Sequence, residues 1–381
     1  MDYTTQTLGI KIKKVLRYMR LFGVNRTLIK IYGQYHMKKK YECLPALKIP
    51  RSGRNVGIIG CGNFAFTNIA YYLNKNYGKV IHAAADINIH AAASLYEKYD
   101  LNYYTDDANK LINDPAIDLL YIASNHASHA EYAIKALNVG KSVHIEKPHV
   151  VSEDQLIRLC QAMAVSSGRV NIGFNRTRSR FGREIRKALG SQTGTGMYNW
   201  FVAGHEIPSD HWYYAKEEGG RVLGNLCHWT DFIYSLVDSR SRYPLTITPV
   251  RAVKPDCGIA VNYKFGDGSI AVITFSAGPT FEGVRERLSA QRGNILISMD
   301  NFKTLIIEEM DKKIKLSNFF NDHGHEHNIM AGYSLLSSNQ GYSAEYVWET
   351  AQLFLRTKEA LEENMVTVLS GYDSLITSKP Y

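Results

Sequence analysis

The strongest constraint on the fold is a glycine-rich turn placed between an apolar strand and a helix. The strand pattern begins at residue 55, the turn reads GCGNFA over residues 60–65, and a second apolar run ends at Asp86. In this order the first glycine, Gly60, allows a tight turn, and the second, Gly62, lets the backbone approach a pyrophosphate. The segment therefore predicts a dinucleotide-binding turn rather than an ordinary glycine loop.

The same alternation of strand and helix continues along the chain. Helical spacing covers residues 89–99 and 127–138, and short apolar runs cover residues 119–123 and 142–145. Strands that alternate with helices at this rhythm predict parallel βαβ units and a doubly wound sheet. We therefore expect an α/β Rossmann domain over residues 55–175.

The pattern changes after about residue 190. Apolar runs joined by short turns cover residues 196–201, 259–265, 269–275, 293–299 and 304–308. Gly266-Asp267-Gly268, between two of these runs, is a strong hairpin signal. We expect residues 176–381 to form an α+β substrate and oligomerisation domain, built on an open, largely antiparallel sheet with a C-terminal helix over residues 344–363.

Asp86 favours NAD as the cofactor over NADP. A carboxylate at the end of the second strand can accept hydrogen bonds from the ribose hydroxyls and would repel a 2′-phosphate. The two residues that follow, Ile87 and Asn88, offer no charge that could neutralise such a phosphate.

The basic character of the chain belongs to its N-terminal arm, residues 1–54. The formal charge is +9 overall and +11 in this arm, which leaves −2 for the remainder and disfavours a protein-wide nucleic-acid surface. Residues 8–22 predict a basic amphipathic helix, a second helix is expected at about 27–35, and residues 38–54 are interpreted as a linker. Three roles stay open for the arm: a solvated or oligomer-packing helix, peripheral membrane contact through residues 8–40, or contact with an acidic partner.

The remaining composition favours a cytoplasmic location, with membrane association through the arm as the open addition. No run of eighteen apolar residues occurs, and lysines interrupt the apolar residues near the N-terminus, unlike in a secretory signal. Five scattered cysteines without a CxxC pair favour reduced thiols over a disulfide framework.

A second motif, Glu146-Lys147-Pro148, follows the apolar run at 142–145, at the strand edge where doubly wound sheets bind ligands. A proline here also allows a cis peptide bond after Lys147. Together with the glycine turn, several further motifs resemble the glucose–fructose oxidoreductase / inositol dehydrogenase (Gfo/Idh/MocA) family over about residues 55–365. They are Ser124-x-His126-x-Ser128-His129, Gly173-Phe174-Asn175-Arg176, Gly219-Gly220 and Cys227-His228-x-x-Asp231.

The resemblance implies an NAD(P)-dependent oxidoreductase that transfers hydride to or from a hydroxyl or ketone of a sugar or nucleotide-linked sugar. It further suggests a role in carbohydrate or surface-polysaccharide metabolism and a homo-oligomeric assembly. By the same resemblance, Lys147 contacts the substrate hydroxyl and His228 is the companion acid/base. The expected cofactor-binding residues are Gly60, Gly62, Asn63, Phe64, Ala65, Asp86, Ser124, His126, His129, Glu146 and Lys147.

Two positions depart from the family pattern: His149, directly after the proline of the Glu-Lys-Pro motif, and Gly224. Many relatives carry an acid four residues before His228, where this chain has Gly224, followed by Asn225. Either Asp231 or another group orients His228, or Lys147 performs the acid/base step alone. The expected substrate-binding residues are Arg176, Trp212, Tyr213, Asn225, His228 and Asp231, with His205 and His211 nearby.

The histidine-rich segment 323–327 is not expected to bind a metal, because three histidines at alternate positions rarely converge without a rigidly placed fourth ligand. Two other functions remain open beside the dehydrogenase: an NAD-dependent sugar lyase or hydrolase that oxidises its substrate transiently, and a non-catalytic dinucleotide-binding regulator.

Overall fold

The computed structural model describes residues 7–205, 207–208, 210–251, 258–278, 283–338 and 340–372. Its contacts cluster into two units. Unit 1 comprises the described residues up to His149, together with Gln161–Gly173 and Glu326–Ser343. Unit 2 comprises Val150–Cys160, Phe174–His325 and the described residues from Ala344 onward.

The helices and strands are numbered here in chain order. The α-helices in the described ranges are α1 Leu8–Phe22, α2 Val24–His36, α3 Ala70–Tyr77, α4 Ile89–Tyr99, α5 Ala108–Ile112, α6 His126–Asn138, α7 Glu153–Val165, α8 Arg180–Gly190, α9 Cys227–Tyr234, α10 His325–Tyr333 and α11 Ala344–Glu363. The strands there are β1 Val56–Ile59, β2 Ile81–Ala85, β3 Tyr103–Thr105, β4 Leu119–Ile122, β5 Ser142–Ile145, β6 Val170–Ile172, β7 Gly196–His205, β8 Leu245–Arg251, β9 Ile259–Lys264, β10 Ile270–Gly278, β11 Arg285–Arg292, β12 Ile295–Asp300, β13 Thr304–Glu309, β14 Lys312–Ser317 and β15 Thr367–Leu369.

Unit 1 is built on a six-stranded parallel sheet in the order β3-β2-β1-β4-β5-β6. The central strands β1, β4 and β5 are buried at every residue, as expected for a parallel sheet covered on both faces. The order reverses between β1 and β4, the crevice at which doubly wound sheets bind their ligands. The predicted Rossmann fold is confirmed.

Local side-chain caps help to place the helices of this sheet. The side chain of Asn88 accepts a hydrogen bond from the backbone amide of His90 at the start of α4, and Asp107 caps α5 in the same way through Asn109. At its other end α3 stops at Gly78, which has a φ of 72° that favours glycine.

Unit 2 is built on a nine-stranded sheet in the order β14-β13-β12-β11-β7-β10-β9-β8-β15. Its pairs are antiparallel except for β7 and β10, which run parallel from Met197 opposite Ile270. The expected largely antiparallel sheet is therefore confirmed, with one parallel pair at its centre. Along β7 alternate residues are buried, among them Tyr198, Trp200 and Val202, so one face of the sheet carries the core.

Residues 41–54 differ from the expected linker, because they are bonded along their length to α4 and to the loop that follows it. The amide of Lys48 donates to the Tyr96 hydroxyl at 3.0 Å, and the amide of Arg51 donates to Asn102 at 3.0 Å. Asp100 forms ion pairs with Lys48 at 2.9 Å and with Arg51 at 2.7 Å. Part of the positive charge of the arm is thus neutralised within the chain.

Two further sequence features can be located. Cys43, Cys61, Cys160 and Cys227 form no disulfide, while Cys257 lies outside the described residues. Within the described ranges, no helix has both the length and the apolarity needed to cross a bilayer.

Candidate active site

The glycine turn is held against the end of the neighbouring strand. Gly60 has a φ of 87°, and a Cβ added there would lie 2.5 Å from the backbone of Ala123 and Ser124, just beyond β4. Any side chain would have to displace that backbone. Gly60 is therefore required by both its conformation and its close packing.

Gly62 differs from Gly60, because a Cβ added to it would meet no atom within 4 Å and its φ lies outside the left-handed region. The space over its backbone is open. The helical segment that starts at Asn63 directs its N-terminus toward this turn, the arrangement in which backbone amides and the helix dipole attract phosphate. The turn thus fits a pyrophosphate group on steric and electrostatic grounds. Ala65 is fully buried, as close helix packing requires, and Asn63 and Phe64 are half-buried beside the open space.

Asp86 is fixed at the rim of this turn. One carboxylate oxygen accepts a hydrogen bond from the amide of Cys61 at 2.6 Å, and the other accepts one from the amide of Asn88 at 2.8 Å. The side chain remains half-buried, so it keeps a face toward solvent. A carboxylate held in this way is suited to accept hydrogen bonds from ribose hydroxyls.

Helix α2 of the basic arm packs directly on this turn, which the sequence patterns did not reveal. The His36 side chain lies 2.7 Å from the carbonyl oxygen of Cys61, and its ring stacks on Phe66 with centroids 4.1 Å apart. A Cβ on Gly33 would lie only 2.4 Å from the side chain of Thr67, in the helical segment that follows the turn. Helix α2 therefore approaches this segment as closely as a glycine permits.

Two basic side chains of α2 complete this contact. Arg26 donates to the carbonyl oxygen of Thr67 and, at 2.7 Å, to the side chain of Asn68. The Lys30 ammonium donates to the Thr67 hydroxyl at 3.1 Å. Burial, with a smaller contribution from the Arg26 charge, lowers the pKa of Lys30 to about 8. In the sequence, a glycine inside an amphipathic helix, Gly33, indicates that another element packs closely on α2. It does not identify that element as the helical segment after the glycine turn.

The loop after β4 is tied to the Glu-Lys-Pro motif by a histidine. The two ring nitrogens of His129 lie 2.9 Å from the carbonyl oxygen of Pro148 and 3.1 Å from that of Ser124. Burial lowers the pKa of His129, although the two carbonyl contacts oppose this effect. His126, at the start of α6, is also buried, with its ring 6.0 Å from that of His129.

Glu146 and Lys147 are adjacent but have different surroundings. Glu146 is buried, its carboxylate lies 3.2 Å from His144, and a Cβ on Gly173 would lie 2.5 Å from it. Lys147 is half-buried, directly beyond the carboxyl end of β5, and its peptide bond to Pro148 is cis. Glu146 therefore supports the strand end, whereas Lys147 is placed at the edge where ligands of such sheets bind.

In unit 2, His228 and Asp231 lie on the same helix, α9, and both are buried. The His228 ring meets Phe174 edge-on at 6.4 Å. The Asp231 carboxylate accepts hydrogen bonds from the hydroxyls of Tyr346 and, at 3.4 Å, Thr177. Burial raises the pKa of Asp231 to about 6, partly offset by the Tyr346 hydrogen bond.

Gly224 and Asn225 lie in a single π-helical turn, Val222–Leu226, directly before α9. The amide oxygen of Asn225 is buried and has no hydrogen-bond partner among the described residues. A buried acceptor of this kind is normally satisfied by protein, water or a ligand. The structure describes no partner for this oxygen of Asn225, a residue that the sequence resemblance assigns to substrate binding.

Arg176 is engaged with a buried carboxylate. Its guanidinium contacts Glu286 at 2.8 and 3.3 Å and lies over the Trp229 ring at 5.6 Å, while the indole of Trp229 donates to Glu286 at 3.0 Å. Burial is the largest single effect and would raise the pKa of Glu286, but the charges of Arg176 and His323 and the hydrogen bonds from Arg176 and Trp229 together hold the pKa below its usual value. These hydrogen bonds join Arg176 to Glu286 of strand β11 and so stabilise the sheet of unit 2.

The aromatic segment expected near the substrate is a short 3₁₀ helix, Trp212–Tyr214, capped by the His211 side chain through the Tyr213 amide at 3.2 Å. The rings of Trp212 and Tyr213 meet edge-on at 4.5 Å, and Trp212 is exposed. His205, at the end of β7, is also exposed.

The histidines of segment 323–327 have different partners. His323 lies 4.0 Å from Glu286, and His325 lies 3.4 Å from the Asn175 side chain. His327 is exposed. Over the described ranges, no group of three His, Cys, Asp or Glu side chains is arranged to hold a metal ion.

The predicted site residues fall into two sets. All the expected cofactor residues, with Lys147, belong to unit 1, and all six expected substrate residues belong to unit 2. Within unit 1 the structure joins the turn, the β4 loop and the Lys147 motif through Gly60, Ser124 and His129.

Comparison with known proteins agrees with this geometry. The model of the oxidoreductase family with an NAD-binding Rossmann fold (Gfo/Idh/MocA) matches residues 54–174. An inositol 2-dehydrogenase/D-chiro-inositol 3-dehydrogenase of Lacticaseibacillus casei is 27% identical over 245 residues, which cover 62% of this chain and 67% of the relative. Other inositol 2-dehydrogenases are matched over only 36–41% of their own length.

Solved structures with the same fold cover more of the chain. A putative myo-inositol dehydrogenase from Sinorhizobium meliloti aligns with a TM-score of 0.70 at 18% identity, covering 83% of this chain and 100% of that one. A levoglucosan dehydrogenase in complex with NADH and levoglucosan aligns with a TM-score of 0.71 at 15% identity, covering 83% and 99%. At these identities the likeness concerns the fold.

Proposed function

Because the chain belongs to the Gfo/Idh/MocA oxidoreductase family, we propose that it is an NAD-dependent dehydrogenase or reductase acting on a carbohydrate alcohol or ketone. The substrate class is a polyol or sugar, free or nucleotide-linked. Support comes from relatives named for inositol and from a structural neighbour named for levoglucosan. A homo-oligomeric assembly stays a prediction.

The observation that carries the proposal is the continuous set of contacts in unit 1 from the glycine turn to Lys147. Gly60 packs on Ser124, and His129 reaches from the carbonyl oxygen of Ser124 to that of Pro148, next to Lys147. These contacts support a proposal in which the phosphate site at the glycine turn and the amine of Lys147 share one edge of the sheet. An ordinary surface lysine would have no such connection to a dinucleotide turn.

When bound, NAD supplies the hydride acceptor for an alcohol, or NADH the donor for a ketone. Gly62 would lie against the pyrophosphate, and Asp86 would accept hydrogen bonds from the ribose hydroxyls. The Lys147 side-chain nitrogen takes the proton from the substrate hydroxyl during oxidation and returns it during reduction. His228 is the second candidate for that proton, and the amide oxygen of Asn225 accepts a hydrogen bond from a further substrate hydroxyl.

Asp86 supports NAD over NADP within this proposal. Both carboxylate oxygens are fixed by backbone amides, so the side chain is not positioned to turn away from a 2′-phosphate. Its negative charge would repel that group. We expect NAD to bind at least tenfold more tightly than NADP.

The experiment is a substrate panel of inositols, free sugars and nucleotide-linked sugars with NAD and NADP, followed by the absorbance of the reduced cofactor. The Lys147→Ala variant should lose turnover while its NAD affinity stays within about twofold of the parent. Lys135→Ala, which removes an exposed lysine from α6 of the same unit, is the matched control and should keep full turnover.

The outcome separates the competing functions. Net formation of NADH with a carbohydrate supports the dehydrogenase. Substrate conversion without net NADH indicates transient oxidation around an elimination or hydrolysis, and NAD binding without conversion of any substrate indicates a regulator. Full activity in Lys147→Ala would contradict the proposed proton transfer.

A further inference from the structure

The two helices of the basic arm carry exposed apolar residues in regular stripes. On α1, Leu8, Ile12 and Leu16 are four residues apart and share a face, with Leu8 72% and Leu16 59% exposed. No residue of α1 is buried. A contiguous row of exposed apolar side chains is typical of a surface that binds a partner or a membrane.

Helix α2 has a similar stripe on the side that faces away from the glycine turn. Val24, Leu28, Tyr32 and Tyr35 are exposed, Tyr35 by 63%. Gly33 and His36 are buried on the other side, against the helix that follows the turn. The packing of α2 on the glycine turn therefore uses the side opposite the stripe, and within the stripe Tyr32 lies under the Lys98 ammonium of α4 at 4.2 Å.

The charge around these stripes is of one sign. Residues 7–41 contain ten lysines and arginines and no aspartate or glutamate. On α1 the basic residues Lys13, Arg17 and Arg20 are exposed and share a face beside the apolar stripe. An amphipathic helix with apolar and cationic faces is the form that lies in the interface of an anionic bilayer.

We propose that α1 and α2 bind the surface of an anionic lipid bilayer, with the apolar stripes inserted among the acyl chains and the basic residues at the headgroups. The 15-residue α1 is about 22 Å long, too short to span a hydrocarbon core of about 30 Å, so it lies in the interface plane. A second copy of the chain fits this surface poorly, because two arms of the same positive charge would repel each other. The proposal goes beyond the proposed oxidoreductase function and does not depend on it.

The test is flotation of the whole protein with vesicles of phosphatidylcholine alone and of phosphatidylcholine mixed with phosphatidylglycerol. We expect binding to the mixed vesicles to be about 100-fold stronger than to the neutral ones, and to weaken as salt is added. The triple variant Leu8→Ser/Ile12→Ser/Leu16→Ser should lose about 100-fold of this affinity because it can no longer insert.

A second variant tests the charge without touching the apolar stripe. Lys13→Gln/Arg17→Gln/Arg20→Gln should lose about 100-fold in affinity for the anionic vesicles and little for the neutral ones. Since none of these side chains is buried, thermal unfolding should be unchanged in both triple variants.

The matched control removes the same charge from the exposed strand β14, as Lys312→Gln/Lys313→Gln/Lys315→Gln, and should bind like the parent. Equal losses in this control and in the α1 charge variant would overturn the proposal, since net charge rather than the arm would then be responsible. Absence of vesicle binding by the parent would also overturn it. So would a concentration-dependent dimer that the Leu8/Ile12/Leu16 variant abolishes, which would assign the stripe to a second copy.

Discussion

Replacing Gly62 by alanine should separate cofactor binding from folding. The new Cβ would meet no protein atom within 4 Å, and φ at this position lies outside the left-handed region. The folded chain therefore accommodates the methyl group without strain. The methyl group would, however, occupy the space through which a pyrophosphate approaches the backbone.

The expected magnitudes follow from these two facts. A Gly→Ala change at a permitted conformation stabilises a protein by about 0.4–1 kcal/mol, so the free energy of unfolding should stay the same or rise slightly. Keeping the phosphate away from one charge-assisted hydrogen bond costs about 1.5–3 kcal/mol. The dissociation constant for NAD should then rise by about 10- to 150-fold.

The assay is isothermal titration of NAD into both proteins, together with urea unfolding. Gly190→Ala is the control, because that glycine also has nothing within 4 Å of an added Cβ but lies at the end of α8 in unit 2. Gly190→Ala should leave the NAD affinity unchanged and raise the free energy of unfolding by no more than about 1 kcal/mol. The reasoning is refuted if Gly62→Ala binds NAD as tightly as the parent, or if it loses affinity only in proportion to lost stability.

Three further predictions concern Asp86 at the cofactor turn and the buried carboxylates Glu286 and Asp231 of unit 2. Asp86→Asn should weaken NAD binding and narrow the difference between NAD and NADP by about tenfold, measured by titration of both cofactors. Glu286→Gln should lower the free energy of unfolding by about 3–5 kcal/mol, because it leaves the Arg176 charge buried without its partner; an unchanged urea midpoint would contradict this. Asp231 has a folded-state pKa of about 6 against an ordinary 3.8, so its stabilising contribution is complete below pH 3.8 and is lost as pH rises through 6. The stability lost in this way is about 3 kcal/mol. The free energy of unfolding of the parent should therefore fall, relative to that of Asp231→Asn, as the pH rises from 4 to 7.

The cofactor turn could be predicted from the sequence because its determinants are local. Gly60, Gly62 and Asp86 lie within one strand–turn–helix–strand segment, which is enough to identify the turn, although the packing of Gly60 on Ser124 is not visible in that segment. The proline alone likewise allows a cis bond after Lys147, which the structure has.

The remaining features depend on contacts between distant parts of the chain. Hydrophobic periodicity indicates that β7 and β10 are strands but not that they pair in parallel, because their register is set across more than seventy residues. The partner of Arg176 is 110 residues away in sequence, and nothing near Arg176 identifies it. The amphipathic pattern predicts helix α2 but not its contact with the cofactor turn, because Gly33, His36 and two basic side chains make that contact and the apolar stripe does not.

The most direct test of the account is calorimetric titration of the whole protein with NAD and with NADP. We expect one NAD site per chain, weakened by Gly62→Ala, with NADP binding at least tenfold more weakly. If neither nucleotide binds, the glycine turn is not a cofactor site and the oxidoreductase proposal fails with it.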